Sequence, residues 1–106
     1  MWNVTGTNLQ MAEGDYGIAL PVTISGTTLT ENDSIRFTFN NSPNGETILT
    51  KEYTEISQNT VQLVLSEAES ELFPIGVYFF SLDWYQNGNF MCNIILQGVL
   101  KVVDKV

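Results

Sequence analysis

A ten-residue alternating run, Gly76–Tyr85, constrains the fold more than any other segment of this 106-residue chain. Large apolar or aromatic side chains recur at every second position, so one face of the run is predicted to lie on a core. Asn87-Gly88 follows closely and favours a type I′ turn, because both central residues of that turn need positive φ. We therefore predict a β-hairpin with a return strand over Phe90–Leu96, which continues as Val99–Val103 after a bulge or corner at Gly98. The inward face of the first strand is predicted to carry Tyr78, Phe80, Leu82 and Trp84, and the outward face Val77, Phe79, Ser81, Asp83 and Tyr85.

Ser34–Asn40 is the clearest shorter strand in the sequence. Apolar and polar residues alternate along it, which is typical of a strand with one buried face. Arg36 and Thr38 are expected to face water. The residues predicted to face inward are Ile35, Phe37 and Phe39.

Three more runs are predicted to form strands, separated by turn residues. Tyr16–Ile24 contains Pro21, which has no backbone N–H to donate, so this strand is expected at an edge or with a bulge. Thr47–Glu55 is more polar and predicts a second edge strand, whereas Thr60–Leu65 alternates with three apolar residues inward. This succession of about seven short strands predicts a Greek-key β-sandwich, with a small barrel as the alternative.

Ser66 and Glu69 have the spacing of a capping box. In that motif a serine hydroxyl and a carboxylate three residues later each accept a hydrogen bond from the other residue's backbone N–H. The sequence therefore predicts a single helical turn from Glu67 to about Phe73. Pro74 is expected to end it.

Composition predicts one globular domain, residues 1–106, since hydrophobic residues make up 43% of the chain and charged residues 15%. Twelve acidic and four basic side chains give a formal net charge of −8. A phosphate backbone or an anionic lipid surface would repel such a molecule, so we expect neither a nucleic-acid nor a membrane partner. An acidic surface that keeps the protein in solution is the simpler interpretation.

The number of cysteines and the N-terminal residues indicate the cellular compartment in which the chain folds. Cys92 is the single cysteine, so no disulfide can form within the chain and a reducing compartment is expected. The first residues have neither the basic nor the apolar segment of a signal peptide, and no run approaches the roughly 18 apolar residues of a membrane span. We therefore expect assembly in a cytoplasm, without export.

No motif for catalysis, metal binding or cofactor binding stands out. The chain has no histidine, and Cys92 is interpreted as a core or strand residue without a neighbouring base. Glu67, Glu69 and Glu71 lie where acids favour a helix N-terminus. Glu31-Asn32-Asp33 offers few oxygens for calcium and predicts an Asx-type turn, and Gly14–Gly17 predicts a turn and no phosphate-binding loop. We expect no enzyme activity, no metal and no cofactor.

Aromatic and apolar residues on faces that are predicted to contact solvent indicate more about function than these motifs do. Phe79 and Tyr85 share the outward face of the longest predicted strand, and Trp2 and Met11 stand in otherwise polar sequence. A contiguous apolar patch on a surface usually marks a protein interface. The alternative is that Phe79 is covered by the helical turn or by a loop.

The segment Phe73–Leu82 contains Gly76-Val77-Tyr78, which resembles the corner-and-strand motif of immunoglobulin-like domains. The resemblance implies an immunoglobulin-like antiparallel β-sandwich with about seven strands and one short helical turn. It also implies that Tyr78 is a structural tyrosine corner, whose hydroxyl bonds back to the chain at the start of its strand.

A second set of strand and turn patterns covers about two-thirds of the chain. Its residues are Leu29, Asp33, Ile35, Phe37, Phe39, Gly76, Tyr78, Phe80, Leu82, Asn87-Gly88 and Gly98–Val102. These patterns resemble the immunoglobulin-like structural domains of tailed bacteriophages, in particular the N-terminal domain of baseplate upper proteins. The resemblance implies a small virion component that packs by its sandwich faces against copies of itself or against a larger tail or capsid protein.

The function expected from the sequence is a non-catalytic phage or prophage structural module, associated with tail, baseplate or capsid. Its expected partners are phage structural proteins, further copies of itself, or both. The alternative is a surface adhesion or carbohydrate-binding sandwich domain, for which Trp2 and Tyr85 would serve. We expect docking through the sheet that contains Gly76–Tyr85 and Phe90–Leu96, since polar Thr47–Glu55 should protect the other sheet. The candidate interface residues are Phe79, Tyr85, Phe90, Met91 and Ile95.

Overall fold

The computed structural model describes residues 3–5, 8–26, 28–42, 45–54, 56 and 58–104. Strands dominate this part of the chain, and one short helix lies between the sixth and seventh strands. The elements are β1 (Asn3–Thr5), β2 (Asn8–Ala12), β3 (Leu20–Thr23), β4 (Asp33–Asn40), β5 (Thr47–Tyr53), β6 (Thr60–Leu63), α1 (Glu67–Ser70), β7 (Gly76–Gln86) and β8 (Asn89–Val103).

Two sheets make up the fold, one of six strands in the order β1-β2-β8-β7-β4-β5 and one of two strands, β3-β6. The all-β sandwich predicted from the sequence is confirmed. β8, β7, β4 and β5 are consecutive neighbours in the large sheet, and β3 and β6 form the small one. One detail differs from the expected antiparallel sandwich, because β2 pairs with β8 in parallel.

The core lies between the sheets, and most of the residues that alternation assigned inward in β4, β6 and β7 are among those that fill it. Burial in β4 alternates without exception along its eight residues, and Phe80 and Leu82 of β7 are buried. Phe39 contacts Phe73 and Phe80 at ring-centroid distances of 5.5 and 6.0 Å. The buried apolar residues are Leu9, Met11, Ile24, Leu29, Ile35, Phe37, Phe39, Val61, Leu63, Leu65, Phe73, Phe80, Leu82, Leu100 and Val102.

The N-terminal strands were not predicted from the sequence. Leu9 and Met11 of β2 are buried and pair with Leu100 and Val102 of β8. Met11 is therefore a core residue, and the expectation that it lies on a wet face is wrong. Trp2 lies outside the described residues.

Two strands sit elsewhere than expected. β5 is the edge of the six-stranded sheet and so belongs to the same sheet as β7 and β8, which contradicts its assignment to the other sheet. β3 is an edge strand with Pro21 exposed, as predicted, but it begins only at Leu20. Ile18 lies within the run predicted as a strand, but it precedes β3 and is exposed.

The β7–β8 hairpin is turned by Asn87 and Gly88, whose φ values of 50° and 80° agree with the predicted turn. β8 is one continuous strand past Gly98, and its register against β7 shifts at three places. At each shift β8 has one extra residue, which is a β-bulge. A β-bulge bends its strand and changes the direction in which the following side chains point. Cys92, in β8, is exposed.

The capping box predicted at the helix is present. Ser66 Oγ accepts from the Glu69 N–H, and a Glu69 carboxylate oxygen accepts from the Ser66 N–H at 2.9 Å. Lys51 of β5 donates to the same carboxylate at 2.8 Å, so the helix is tied to the edge of the large sheet. The helix is shorter than predicted, and backbone hydrogen bonds from Leu72 and Phe73 to residues three positions earlier tighten the chain after it.

In the described part of the chain, no helix is long and apolar enough to cross a membrane.

Candidate functional site

The outer face of the six-stranded sheet, opposite the core, is the candidate site. Directly paired residues of neighbouring strands share a face, so the register identifies the side chains there. Burial agrees, since the residues between them are the buried ones in β4 and at the centre of β7. The outward residues of the four central strands are Asn8, Gln10 and Ala12 of β2, Phe90, Asn93, Val99 and Lys101 of β8, Val77, Phe79, Ser81, Asp83 and Tyr85 of β7, and Ser34, Arg36, Thr38 and Asn40 of β4.

A first apolar patch lies on this face at the start of β7 and consists of Val77, Phe79 and Val99. Phe79 pairs with Val99 on one side and with Asn40 on the other. Val77 is 51% exposed, while Phe79 is half-buried among its neighbours on the sheet. Phe79 therefore faces outward, as the alternation predicted.

A second apolar patch, at the other end of the same two strands, consists of Tyr85 and Phe90. The two residues are direct cross-strand partners, and their rings meet edge-on at 5.7 Å between centroids. Phe90 is 53% exposed. Met91, the extra residue of the adjoining bulge, is also exposed. An edge-on aromatic pair of this kind adds to the stability of a sheet surface and leaves apolar area open to a partner.

A polar band separates the patches and consists of Arg36, Glu52, Asp83 and Asn93. Arg36 donates from Nε and Nη2 to one oxygen of Glu52, at 3.1 and 2.7 Å. Its Nη1 donates to the Tyr85 hydroxyl at 3.0 Å, and its guanidinium carbon lies 4.2 Å from the centre of the Tyr85 ring. Asn93 donates to Asp83. Arg36 therefore joins the band to the second patch and holds the Tyr85 ring in place.

The hydrogen bonds to Glu52 raise the pKa of Arg36 above its usual value. Burial acts in the opposite direction, and the negative charge of Asp83 nearby adds to the rise. The guanidinium is therefore charged at physiological pH. The band thus presents a fixed cation between acidic neighbours.

The tyrosine corner has the expected geometry at Tyr78. Its hydroxyl donates to the carbonyl oxygen of Pro74 at 2.6 Å, and its ring contacts Phe73 edge-on at 5.2 Å. Burial and the charge of Glu13 raise the pKa of Tyr78, so the hydroxyl remains a donor at physiological pH. Tyr78 supports the start of β7 and hence the first patch.

The candidate interface residues do not all share one surface. Phe79, Tyr85 and Phe90 lie on the outer face, and Met91 is exposed beside them. Ile95 pairs with Leu82 and packs against the core, so its assignment to the interface is wrong. The sequence analysis grouped Phe90, Met91 and Ile95 without assigning each of them to one of the two faces of β8.

Two of the acidic residues weighed for metal binding or catalysis, Asp33 and Glu69, have structural contacts. Asp33 is buried, and its carboxylate accepts hydrogen bonds from Thr30 and Trp84. Glu69 is held by Ser66 and Lys51. In the described part of the chain, no three His, Cys, Asp or Glu side chains are grouped so as to hold a metal ion.

Sequence reasoning missed Val77, Val99 and the Arg36–Glu52 pair as parts of the surface. Alternation already placed Val77 outward and Arg36 in water. Alternation could not show which strands are neighbours in the sheet, and hence which outward residues contact one another.

Comparison of the chain with protein-family models, curated proteins and solved structures found no significant match.

Proposed function

We propose that this protein is a non-catalytic assembly module that binds protein surfaces through the outer face of its six-stranded sheet. The observation that carries the proposal is the second apolar patch, where a half-exposed Phe90 stands beside a Tyr85 ring fixed by Arg36. Tyr and Arg are enriched among the residues that dominate binding energy at interfaces. Aromatic rings held in place before binding lose little conformational entropy when a partner covers them.

The finer proposal is a structural component of a phage or prophage particle, associated with tail, baseplate or capsid. It is supported by the resemblance of the strand and turn motifs to phage structural domains. The strand order is compatible with such a domain. Genes for terminase, portal or tail proteins beside the gene for this chain are the expected context. A sortase signal or a secretion cassette there would contradict the phage assignment.

The alternative of a carbohydrate-binding or adhesion domain receives less support from the outer face. A sugar stacks its apolar C–H face on a flat aromatic ring that is open to solvent. Arg36 covers the Tyr85 ring, and Phe90 meets that ring edge-on. Both neighbours leave less of Tyr85 open for stacking, so a protein partner is the better fit.

A co-purification experiment with two matched variants tests the assembly proposal. Phe90→Asp places a charge on the outer face, whereas Ile75→Asp places one at an equally exposed position in the loop before β7; the two side chains are 53% and 54% exposed. The chain is co-expressed with each structural protein encoded beside its gene, and complexes are measured by size-exclusion chromatography with light scattering. We expect wild type and Ile75→Asp to elute in a complex, either with at least one of these proteins or with a second copy of the chain, and Phe90→Asp to elute as a single chain. Co-elution of Phe90→Asp at the wild-type level would overturn the proposal.

A further inference from the structure

We infer that the outer face pairs with the outer face of a second copy of this chain around a two-fold axis. In this dimer the first apolar patch of each copy covers the second apolar patch of the other. The inference deepens the proposed function and rests on it, because it names the partner of the same surface. It follows from the arrangement of the patches, from the charge of the face and from its size.

The two patches are placed symmetrically along the same pair of strands. Phe79 and Tyr85 are six positions apart on β7, which is about 20 Å at the rise of an extended strand. Ser81 and Asp83 lie midway, in or next to the polar band. A two-fold axis through this midpoint exchanges the ends of the face. It therefore brings Val77, Phe79 and Val99 of one copy onto Tyr85 and Phe90 of the other, twice in each dimer.

The charge of the face permits two copies to approach. The whole chain carries a formal charge of −8, which opposes self-association in most orientations. The described strands of the six-stranded sheet direct two cations, Arg36 and Lys101, and two anions, Glu52 and Asp83, to the outer face. These charges balance, so the excess of acidic groups lies elsewhere on the molecule.

The polar band at the centre can be buried at limited cost. Three nitrogens of Arg36 already donate hydrogen bonds to Glu52 and Tyr85, and Asp83 accepts one from Asn93. Charged groups that keep their hydrogen bonds lose less on removal from water than unpaired ones.

The size of the face is appropriate for a dimer. The five neighbouring strands β2, β8, β7, β4 and β5 form most of this face. With a strand spacing of about 4.8 Å and a rise of about 3.3 Å per residue, their projected area is roughly 600 Å². Accessible area exceeds projected area on a surface with large side chains. Burial of this face therefore comes close to the about 800 Å² per partner of a standard interface.

Exchange of complementary charges between copies tests the two-fold arrangement. Phe79→Lys alters only the first patch and Phe90→Asp only the second, and each change occurs twice in a dimer of one variant. Loss of one buried Phe contact weakens binding roughly tenfold or more, so each variant alone should weaken dimerisation about a hundredfold. In an equimolar mixture, one contact pairs the introduced lysine of one chain with the introduced aspartate of the other, while the second contact remains native. The mixture should therefore regain a dimer that neither variant forms alone.

Sedimentation equilibrium of wild type, each variant and the mixture provides the measurement, with Ile75→Asp as the control that should dimerise like wild type. Circular dichroism of each variant establishes that it is folded. Two results would overturn the inference: a wild type that stays monomeric up to millimolar concentration, or two monomeric variants whose mixture also stays monomeric. If wild type is monomeric but Phe90→Asp still loses the co-eluting structural protein, the dimer is wrong and the assembly proposal stands. If neither self-association nor co-elution depends on Phe90, both are wrong.

Discussion

Trp84 donates a hydrogen bond from its indole Nε1 to Oδ1 of Asp33 at 2.9 Å and so ties β7 to the first residue of β4. Asp33 is only 2% exposed. Its other oxygen accepts from the Thr30 N–H at 2.7 Å and from the Thr30 hydroxyl at 3.2 Å. A single buried carboxylate thus fixes the turn before β4 against the strand that carries both apolar patches.

Removal of the indole donor should destabilise the fold measurably. Trp84→Phe keeps an aromatic ring but withdraws a donor from a buried carboxylate, which costs on the order of 2 kcal/mol. Asp33→Asn should lower the free energy of unfolding as well, and the double variant should lose less than the sum of the two. Urea denaturation of the four proteins measures these values. Strict additivity would show that the two side chains do not act as a pair.

Acid should weaken the fold through the same carboxylate. Burial raises the pKa of Asp33, but the hydrogen bonds from Thr30 and Trp84 outweigh it and hold the pKa below its ordinary value of 3.8. Burial likewise raises the pKa of Glu69, but the hydrogen bonds from Lys51 and Ser66 outweigh it, so this pKa is lowered too. The unfolded chain therefore binds these protons more readily than the folded one. The stability that both groups provide is present above about pH 4 and is lost as the pH falls through their folded pKa values.

Thermal unfolding of wild type and Asp33→Asn between neutral pH and pH 2 tests this sign. We expect the wild type to be more stable at pH 7 and its advantage to shrink as the pH falls below about 4, because the unfolded chain binds the Asp33 proton more readily than the folded chain. A difference that stays constant over the whole range would contradict the assigned direction of the Asp33 shift.

The tyrosine corner should contribute to stability and not to binding. Tyr78→Phe removes the hydrogen bond to Pro74 but keeps the ring against Phe73, so the expected loss is about 1 kcal/mol. Tyr16→Phe is the control, since Tyr16 is exposed in a loop and its change should stay within about 0.5 kcal/mol. Chemical denaturation gives both values. An equal effect of the two substitutions would show that the Tyr78 hydroxyl has no structural role.

Alternation along single strands was enough to predict much of the fold. The inward residues of β4 and β7, the Asn87-Gly88 turn and the capping box at Ser66 all follow from signals within about ten residues, and the structure has each of them. Contacts between distant segments were not predictable in this way. The parallel pairing of β2 with β8 depends on residues about ninety positions apart, and β2 offers only two inward apolar side chains.

The candidate site could likewise be predicted within single strands but not across the sheet. Phe79 and Tyr85 were placed outward by alternation within β7, where the register is uninterrupted against β4. Ile95 was misplaced because the candidate interface took in Phe90, Met91 and Ile95 without assigning them to faces, and the three bulges of β8 interrupt the two-residue period that would have separated them. The polar band was not foreseen, since its members come from four strands.

The most direct test of the account is hydroxyl-radical footprinting of the protein when dilute and monomeric and when assembled, with oxidation quantified residue by residue. We expect Tyr85, Phe90 and Met91 to lose labelling on assembly. Tyr16 and Leu72, which are exposed in loops away from the outer face, should keep it. Protection of Tyr16 and Leu72 with unchanged labelling of Phe90 would contradict the claim that this protein assembles through the outer face of its six-stranded sheet.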